Sequence, residues 1–327
     1  MLSQNGDIES LKLASGNNLE GDFFIDASGF NRVLSKKLGV KWVSHNDYLF
    51  LDSALPFILQ YEEGEQIDPC AVAWAQSSGW MWQVPQMNRK GCGYNFNSNF
   101  ITPEQAQQEI ETTLGKKIQP IRHIKYDAGR LENTLNRNCL SIGLSAAFAE
   151  PLEATSVHST IVQISKFVFE VLKSDVKLMN VDSVRNQYNF YINRMFEDFK
   201  DFLNIHYMGG REDSEFWKHI KFSNSKTPFV EHILDLVKYR IPSHNDFNAY
   251  YGSAGWGIWS YILAGTNNFY EDVAREEMRL QYNGISFYEF AETKIKNLKR
   301  EALNKIANNY SHQEFVDYIT NEYTLHS

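Results

Sequence analysis

Apolar positions alternate with polar ones through the first part of the chain and recur every third or fourth residue from about position 157 onward. Alternation is the signature of half-buried strands, and a period near 3.6 that of amphipathic helices. Residues 6–27 read as a β-meander: Ile8, Leu11 and Leu13 mark short strands, and Ser15-Gly16-Asn17-Asn18 is a turn signal. Phe23-Phe24-Ile25 then forms an apolar strand that ends in Asp26-Ala27-Ser28-Gly29 and leads into a helix over 33–38. Strands are predicted over 48–60, 70–76, Gly79–Pro85 and 91–100, then a helix over Pro103–Leu114 with proline at its first turn. A strand near 121–127 and a buried run at 139–142 follow.

Beyond that point Val157, Ile161, Ile164, Phe167, Val168 and Val171 define one helical face. Further helices are predicted over 181–206, 214–221, 227–238, 270–279, 285–309 and 313–323. Loops are expected at 204–210 and 241–257, the latter carrying Tyr250, Tyr251, Trp256 and Trp259 on glycine-rich backbone. The fold class is therefore α+β. A mixed β-sheet region with helices spans 1–175, and a mainly helical region spans 176–327.

Composition narrows the function. With 327 residues, 43% of them hydrophobic, the chain suffices for one large domain or two ordinary ones. A net charge of −8 argues against wholesale binding to nucleic acid or to an anionic membrane surface. The three cysteines, Cys70, Cys92 and Cys139, are scattered and show no zinc spacing, as expected for reduced thiols in a cytoplasmic protein. No apolar run approaches a membrane span, and the first residues do not form a signal peptide. The 22 Phe, 17 Tyr and 7 Trp supply a core and would also suit an aromatic ligand.

The most informative stretch is Phe148-Ala149-Glu150-Pro151-Leu152-Glu153-Ala154-Thr155-Ser156-Val157-His158. It places a proline, a carboxylate and a Thr-Ser pair where a long helix begins. A helix start offers unpaired N–H groups and the positive end of the macrodipole, so it suits a halide or the electron-rich edge of a flavin. The same residues also fit an ordinary helix start capped by Thr155 or Ser156. Gly79-Trp80-Met81-Trp82-Gln83-Val84-Pro85 sets two indoles on one strand face. They would wall a flat cavity or simply cover the sheet. Asn138-Cys139-Leu140-Ser141-Ile142-Gly143 is a buried strand meeting a glycine turn, where backbone can approach a cofactor closely.

Taken in order, Asp26 to Phe30, the Trp-x-Trp-x-Val-Pro run and Asn138 to Glu153, supported by Gly91 to Phe100, resemble the flavin-dependent halogenases of the tryptophan-halogenase type. The resemblance covers about residues 6–210, and the two tryptophans together with Glu-Pro-Leu-Glu are its specific part. It implies a flavin-monooxygenase-like FAD domain with a helical substrate-side region. In that family a separate flavin reductase supplies reduced FAD, which with oxygen converts chloride or bromide into hypohalous acid. A tunnel carries that species to a lysine and an electron-rich aromatic substrate. By position, Glu153 is implied as the catalytic carboxylate, and Thr155 and Ser156 as the halide site. Asp26, Gly29, Gly143, Pro151 and Leu152 are implied at the flavin. Trp80, Trp82, Pro85 and Phe148 are implied along the tunnel, and Trp256 and Trp259 at an indole-like substrate.

The sequence departs from that family at three points. Ala154 stands where a serine is usual, and residues 250–259 lack the usual indole-binding pattern, which argues against free tryptophan as substrate. There is also no GxGxxG fingerprint, no acidic residue placed to bind ribose, and no match to the catalytic lysine. Lys36, Lys37 and Lys41 read as solvated surface residues. The expectation is an N-terminally truncated halogenase, inactive as an isolated chain. It is expected to be marginally soluble or self-associating, for instance as a homodimer, because sheet edges and helix-facing surface are left open. A flavin-dependent aromatic hydroxylase and a degenerate aromatic-binding fragment are the alternatives.

Overall fold

The computed structural model describes residues 1–172, 181–223, 225–247, 255–279, 281–282 and 285–324. A hairpin of β1 (Ser10–Lys12) and β2 (Asn18–Glu20) leads into β3 (Phe24–Asp26), then α1 (Val33–Lys37) and β4 (Trp42–Ser44). The largest sheet is antiparallel throughout. Its strands are β5 (Ser53–Leu59), β6 (Val72–Ala75), β7 (Gly79–Pro85), β8 (Lys90–Phe96) and β9 (Ile124–Lys125), in the order β6-β7-β8-β5-β9. Its two faces have different covers. Met81, Tyr94, Phe96, Leu55 and Phe57 pack under α2 (Pro103–Leu114) through Ala106 and Ile110. Trp80, one residue out of phase with Met81, points the other way and joins Leu51, Tyr207, Phe216 and Trp217.

Two three-stranded sheets complete the β-region. One joins β10 (Gly129–Leu131) to β4 and to β13 (Ala147–Phe148); the other runs β11-β12-β3, with β11 (Leu135–Asn136) and β12 (Cys139–Ser141). The pairing of β12 with β3 is parallel, with Ser141 opposite Asp26, so both strands deliver their carboxyl ends to one place. The remainder is helical: α3 (Thr155–Lys166), α4 (Asp182–His206), α5 (Glu215–Phe222), α6 (Pro228–Leu236), α7 (Trp256–Gly265), α8 (Glu271–Met278), α9 (Phe287–Asn308) and α10 (His312–Thr324). A short β14–β15 hairpin (Gln281–Tyr282 and Ile285–Ser286) precedes α9. This is the α+β arrangement with a helical C-terminal region that the sequence patterns predict.

Helix α4 ties the parts together because it is apolar on more than one side. Tyr188, Ile192, Met195, Phe196 and Phe199 pack on β11, β12 and the end of the preceding helical segment. Leu203 meets Leu49, Ala128 and Leu152, while Phe202 and Ile205 pack on α6 and α7. Asn204, fully buried, donates to the carbonyls of Tyr48 and Ser225, each at 2.9 Å, and accepts from the Thr227 amide at 3.1 Å.

The apolar face predicted for α3 is only partly buried. Phe167 and Val171 lie in the core, but Val157, Ile161, Ile164 and Val168 are exposed. The buried residues of α3 itself are Thr155, Ser159 and Gln163. Two local features make this arrangement workable. The Ser159 and Thr160 hydroxyls bond back to the Ser156 carbonyl at 3.0 and 2.8 Å, so the inward hydroxyl is satisfied within the helix. The helix then opens into a π-turn over Phe167–Leu172, which shifts the phase and brings Phe167 onto Phe23 at 5.2 Å. Nor are Trp256 and Trp259 in a loop: both lie on α7. Tyr250 and Tyr251 fall outside the described residues.

Candidate active site

Two glycine turns meet at the carboxyl ends of β3 and β12. Gly29 (φ 66°) and Gly143 (φ 59°) both take the left-handed conformation that side chains disfavour. Ser145 links them, its hydroxyl donating to Asp26 Oδ1 at 3.3 Å and to the Gly29 carbonyl at 3.2 Å. Asp26 is buried and fully engaged. It accepts from the Ser28 hydroxyl and amide at 2.6 and 3.1 Å and from the amides of Leu34 and Ser35 at 2.9 and 3.0 Å. Burial works against its charge, but the Ser28 hydroxyl and these amides outweigh it and hold the carboxyl below its ordinary range. Its work is to fasten the turn and the start of α1, while open space surrounds the position of a Cβ on Gly29.

The Glu-Pro-Leu-Glu segment runs from β13 into α3. Pro151 precedes a short 3-10 turn over Leu152–Ala154, and Leu152 anchors it in the core with Leu49, Ala128 and Leu203. Glu153 (φ 62°) and Ala154 (φ 51°) are both left-handed, at roughly 1–2 kcal/mol apiece for residues other than glycine. Such strain persists only where neighbours over-determine it, and it clusters at functional sites. Ala154 is the N-cap of α3 and provides no side-chain cap, so neither Thr155 nor Ser156 caps the helix. Thr155 is instead its first residue. The Thr155 hydroxyl is buried without a hydrogen-bond partner among the described residues, whereas Ser156 is half-buried. Gly143 faces the same helix, 3.6 Å from Thr160 Oγ1 at its Cβ position.

Both glutamates are gripped by the end of α4. Glu150, fully buried, accepts the Leu51 amide at 3.2 Å and the Tyr207 hydroxyl. Burial pushes its carboxyl up to about 7, against those two hydrogen bonds. Glu153 Oε1 lies 3.3 Å from His206 Nε2. The bond to His206 holds Glu153 below its ordinary value despite partial burial. Neither His206 nor Tyr207 is marked by any local motif; the only sequence signal is that a long amphipathic helix ends on them.

The expected tunnel residues separate into two groups. Trp80 packs edge-on against Tyr207 and Trp217 at 5.8 and 5.6 Å and also touches the cluster around Leu152, so it stands beside the phenol that donates to Glu150. Phe148 bridges Phe30, next to Gly29, and Tyr126, at 5.1 and 4.8 Å. Trp82 lies flat across Gly93 on β8. Pro85 is at the far end of β7, in a groove with Cys70 and His312. Trp259 is buried among Phe202, Phe229 and Phe247, and Trp256 is exposed on the same helix.

These observations suit the isoalloxazine end of a flavin and a halide. Two turns with room for close approach lie at strand carboxyl ends, where α/β folds take ligands, beside a helix start that carries a buried hydroxyl without a partner among the described residues. Among the described residues no cluster of His, Cys, Asp and Glu would hold a metal ion, and no helix is long and apolar enough to cross a membrane.

Residues 1–276 match the sequence profile described as tryptophan halogenase. The chain is 31% identical over 261 residues to tryptophan 7-halogenase RebH of Lentzea aerocolonigenes, covering 76% of this chain and 48% of that protein. It is 31% identical over 275 residues to tryptophan 6-halogenase SttH of Streptomyces toxytricini, covering 81% and 51%. Among solved structures, a tryptophan halogenase from Shewanella frigidimarina superposes with a TM-score of 0.87 at 25% identity, over 98% of this chain and 61% of that one. The chain thus spans about half the length of the curated relatives it matches.

Proposed function

From the premise that this chain belongs to the tryptophan halogenase family, we propose that it carries the halide-side and carboxylate-side half of a flavin-dependent halogenase acting on an electron-rich, indole-like aromatic. The single observation that supports this most is the strained Glu153-Ala154 pair, which sets a carboxylate at the start of α3, a helix whose first residue, Thr155, has a buried hydroxyl with no hydrogen-bond partner among the described residues. Oxygen would be the oxidant that turns chloride or bromide into an electrophilic halogen and would end as water, with reduced FAD, delivered by a separate reductase, supplying the two electrons that activate it.

The chain's own residues then have distinct tasks. Gly29 and Gly143 let backbone approach the ring system, and Asp26 keeps their turns in place. The amides at the start of α3, with Thr155 and Ser156, attract the halide through hydrogen bonding and the helix dipole. Phe148, packed on Phe30 beside the glycine turn, and Trp80, packed on Tyr207, offer apolar surface that keeps bulk water from the halogenating species. Glu153 accepts the ring proton: once the new carbon–halogen bond exists, the C–H bond breaks, its electron pair restores aromaticity, and the proton passes to the carboxylate.

The nucleotide-binding fingerprint is not among these 327 residues, so the test joins the chain to the first half of a relative and supplies reduced FAD, oxygen, bromide and a panel of indoles. Halide-dependent brominated product that disappears in Glu153→Gln is expected. Hydroxylated product formed equally well without bromide would overturn the halogenase reading in favour of a monooxygenase. The chain without that addition is expected to form no product.

A further inference from the structure

His206 closes α4 with its side chain only 8% exposed and its ring edge against Phe202 at 4.9 Å. Its two nitrogens face two oxygens. Nδ1 is 2.8 Å from the Phe202 carbonyl, and Nε2 is 3.3 Å from Glu153 Oε1. A carbonyl oxygen can only accept, so the proton of the Nδ1 contact belongs to the ring. A neutral imidazole would then turn the lone pair of Nε2 toward a carboxylate. The contact is attractive only if a second proton lies between the two groups. Glu150, the next carboxyl along the segment, does not compete, because Leu51 and Tyr207 occupy it.

We propose that His206 is a positioning residue for Glu153: a doubly protonated imidazolium, anchored by the Phe202 carbonyl, that pins Oε1 and leaves Oε2 as the oxygen that works on the substrate. The anchoring half of this statement stands on the geometry alone; the positioning half rests on Glu153 being the working carboxylate. Several features make the arrangement suitable. Glu153 is 40% exposed and sits on left-handed backbone, so its own element does little to fix the side chain. The fixing group comes from a helix held in several packed clusters at once. A carboxylate held at one oxygen by a charge-assisted bond loses rotational freedom without losing its second acceptor.

Nuclear magnetic resonance of the full chain with labelled histidine reads the protonation of each ring nitrogen, and the His206 signal is assigned by its loss in His206→Gln. The parent is expected to show a proton on both nitrogens. In Glu153→Gln the Nε2 proton is expected to be lost and the Nδ1 proton kept. A His206 signal that is the same in both proteins, or a ring protonated at Nε2 alone, overturns the proposal. Halogenation by the joined protein separates this failure from failure of the functional reading. Product lost in Glu153→Gln with an unmoved His206 signal defeats the pairing alone. A His206 signal that responds to Glu153→Gln, with halogenation unaffected, defeats the catalytic role of Glu153 and with it the positioning role. If both hold, His206→Gln should lower kcat more than it changes KM and alter the acid limb of the pH–rate profile.

Discussion

Tyr207 donates its hydroxyl to Glu150, and the two residues, 57 positions apart in sequence, are both buried. A carboxyl in such a place is held in its protonated form at a pH where an exposed glutamate has ionised. Its value moves from 4.5 to about 7 on folding. Between those limits the folded chain keeps a proton that the unfolded chain has released. Stability therefore falls as pH rises through this window, by on the order of 3 kcal/mol from this group alone. Urea unfolding at about pH 5 and about pH 8 should show that loss in the parent and a flatter response in Glu150→Gln. Equal pH dependence in the two proteins would refute the assignment.

Ala154 adopts φ 51° at an exposed position. Ala154→Gly removes the steric cost of the left-handed conformation but adds backbone freedom to the unfolded chain. The first effect is the larger, so a net gain of roughly 0.5–1 kcal/mol is expected. Thermal melting reads it as a rise in Tm, and a fall would mean that the turn is not strained as described.

Gly93 lies under the Trp82 indole, and a Cβ there would approach two ring carbons to 2.1 Å. No small adjustment removes such a clash. Gly93→Ala should expel the indole from the sheet and destabilise by about 1–3 kcal/mol. The paired change Gly93→Ala with Trp82→Ala should recover part of that loss. A double mutant no more stable than Gly93→Ala would count against this contact.

Asn204 satisfies two carbonyls and an amide from three separate segments. Asn204→Leu strands all three groups in the interior, at roughly 1–3 kcal/mol for each that cannot reach water. We expect a loss of about 3 kcal/mol or more. Hydrogen exchange should accelerate first at Thr227, whose amide loses its acceptor.

Much of this architecture is legible in the chain because local chemistry agrees with the fold. Thr102 and Gln105 form a capping box at the start of α2, so its predicted bounds coincide with the observed ones. Strand β7 shows its alternation plainly: Met81 is fully buried between half-buried Trp80 and Trp82. Helix α3 is the opposite case. Its aliphatic residues mark a face, but packing on β12 and the π-turn, rather than hydropathy, decide that Ser159 and Gln163 point inward. The site shows the same division. Glu153 and Thr155 belong to a recognisable local run, whereas their surroundings come from His206 and Tyr207, more than 50 residues downstream. Spacing along a sequence carries no information about which helix end arrives beside which turn.

The aromatic packing around Tyr207 has an optical consequence. Trp80 and Trp217 flank the phenol at 5.8 and 5.9 Å, so two natural fluorophores border the hydroxyl that donates to Glu150. Ultraviolet emission from those indoles should change as that buried carboxyl ionises, giving the molecule an intrinsic gauge of its own interior that needs no attached label.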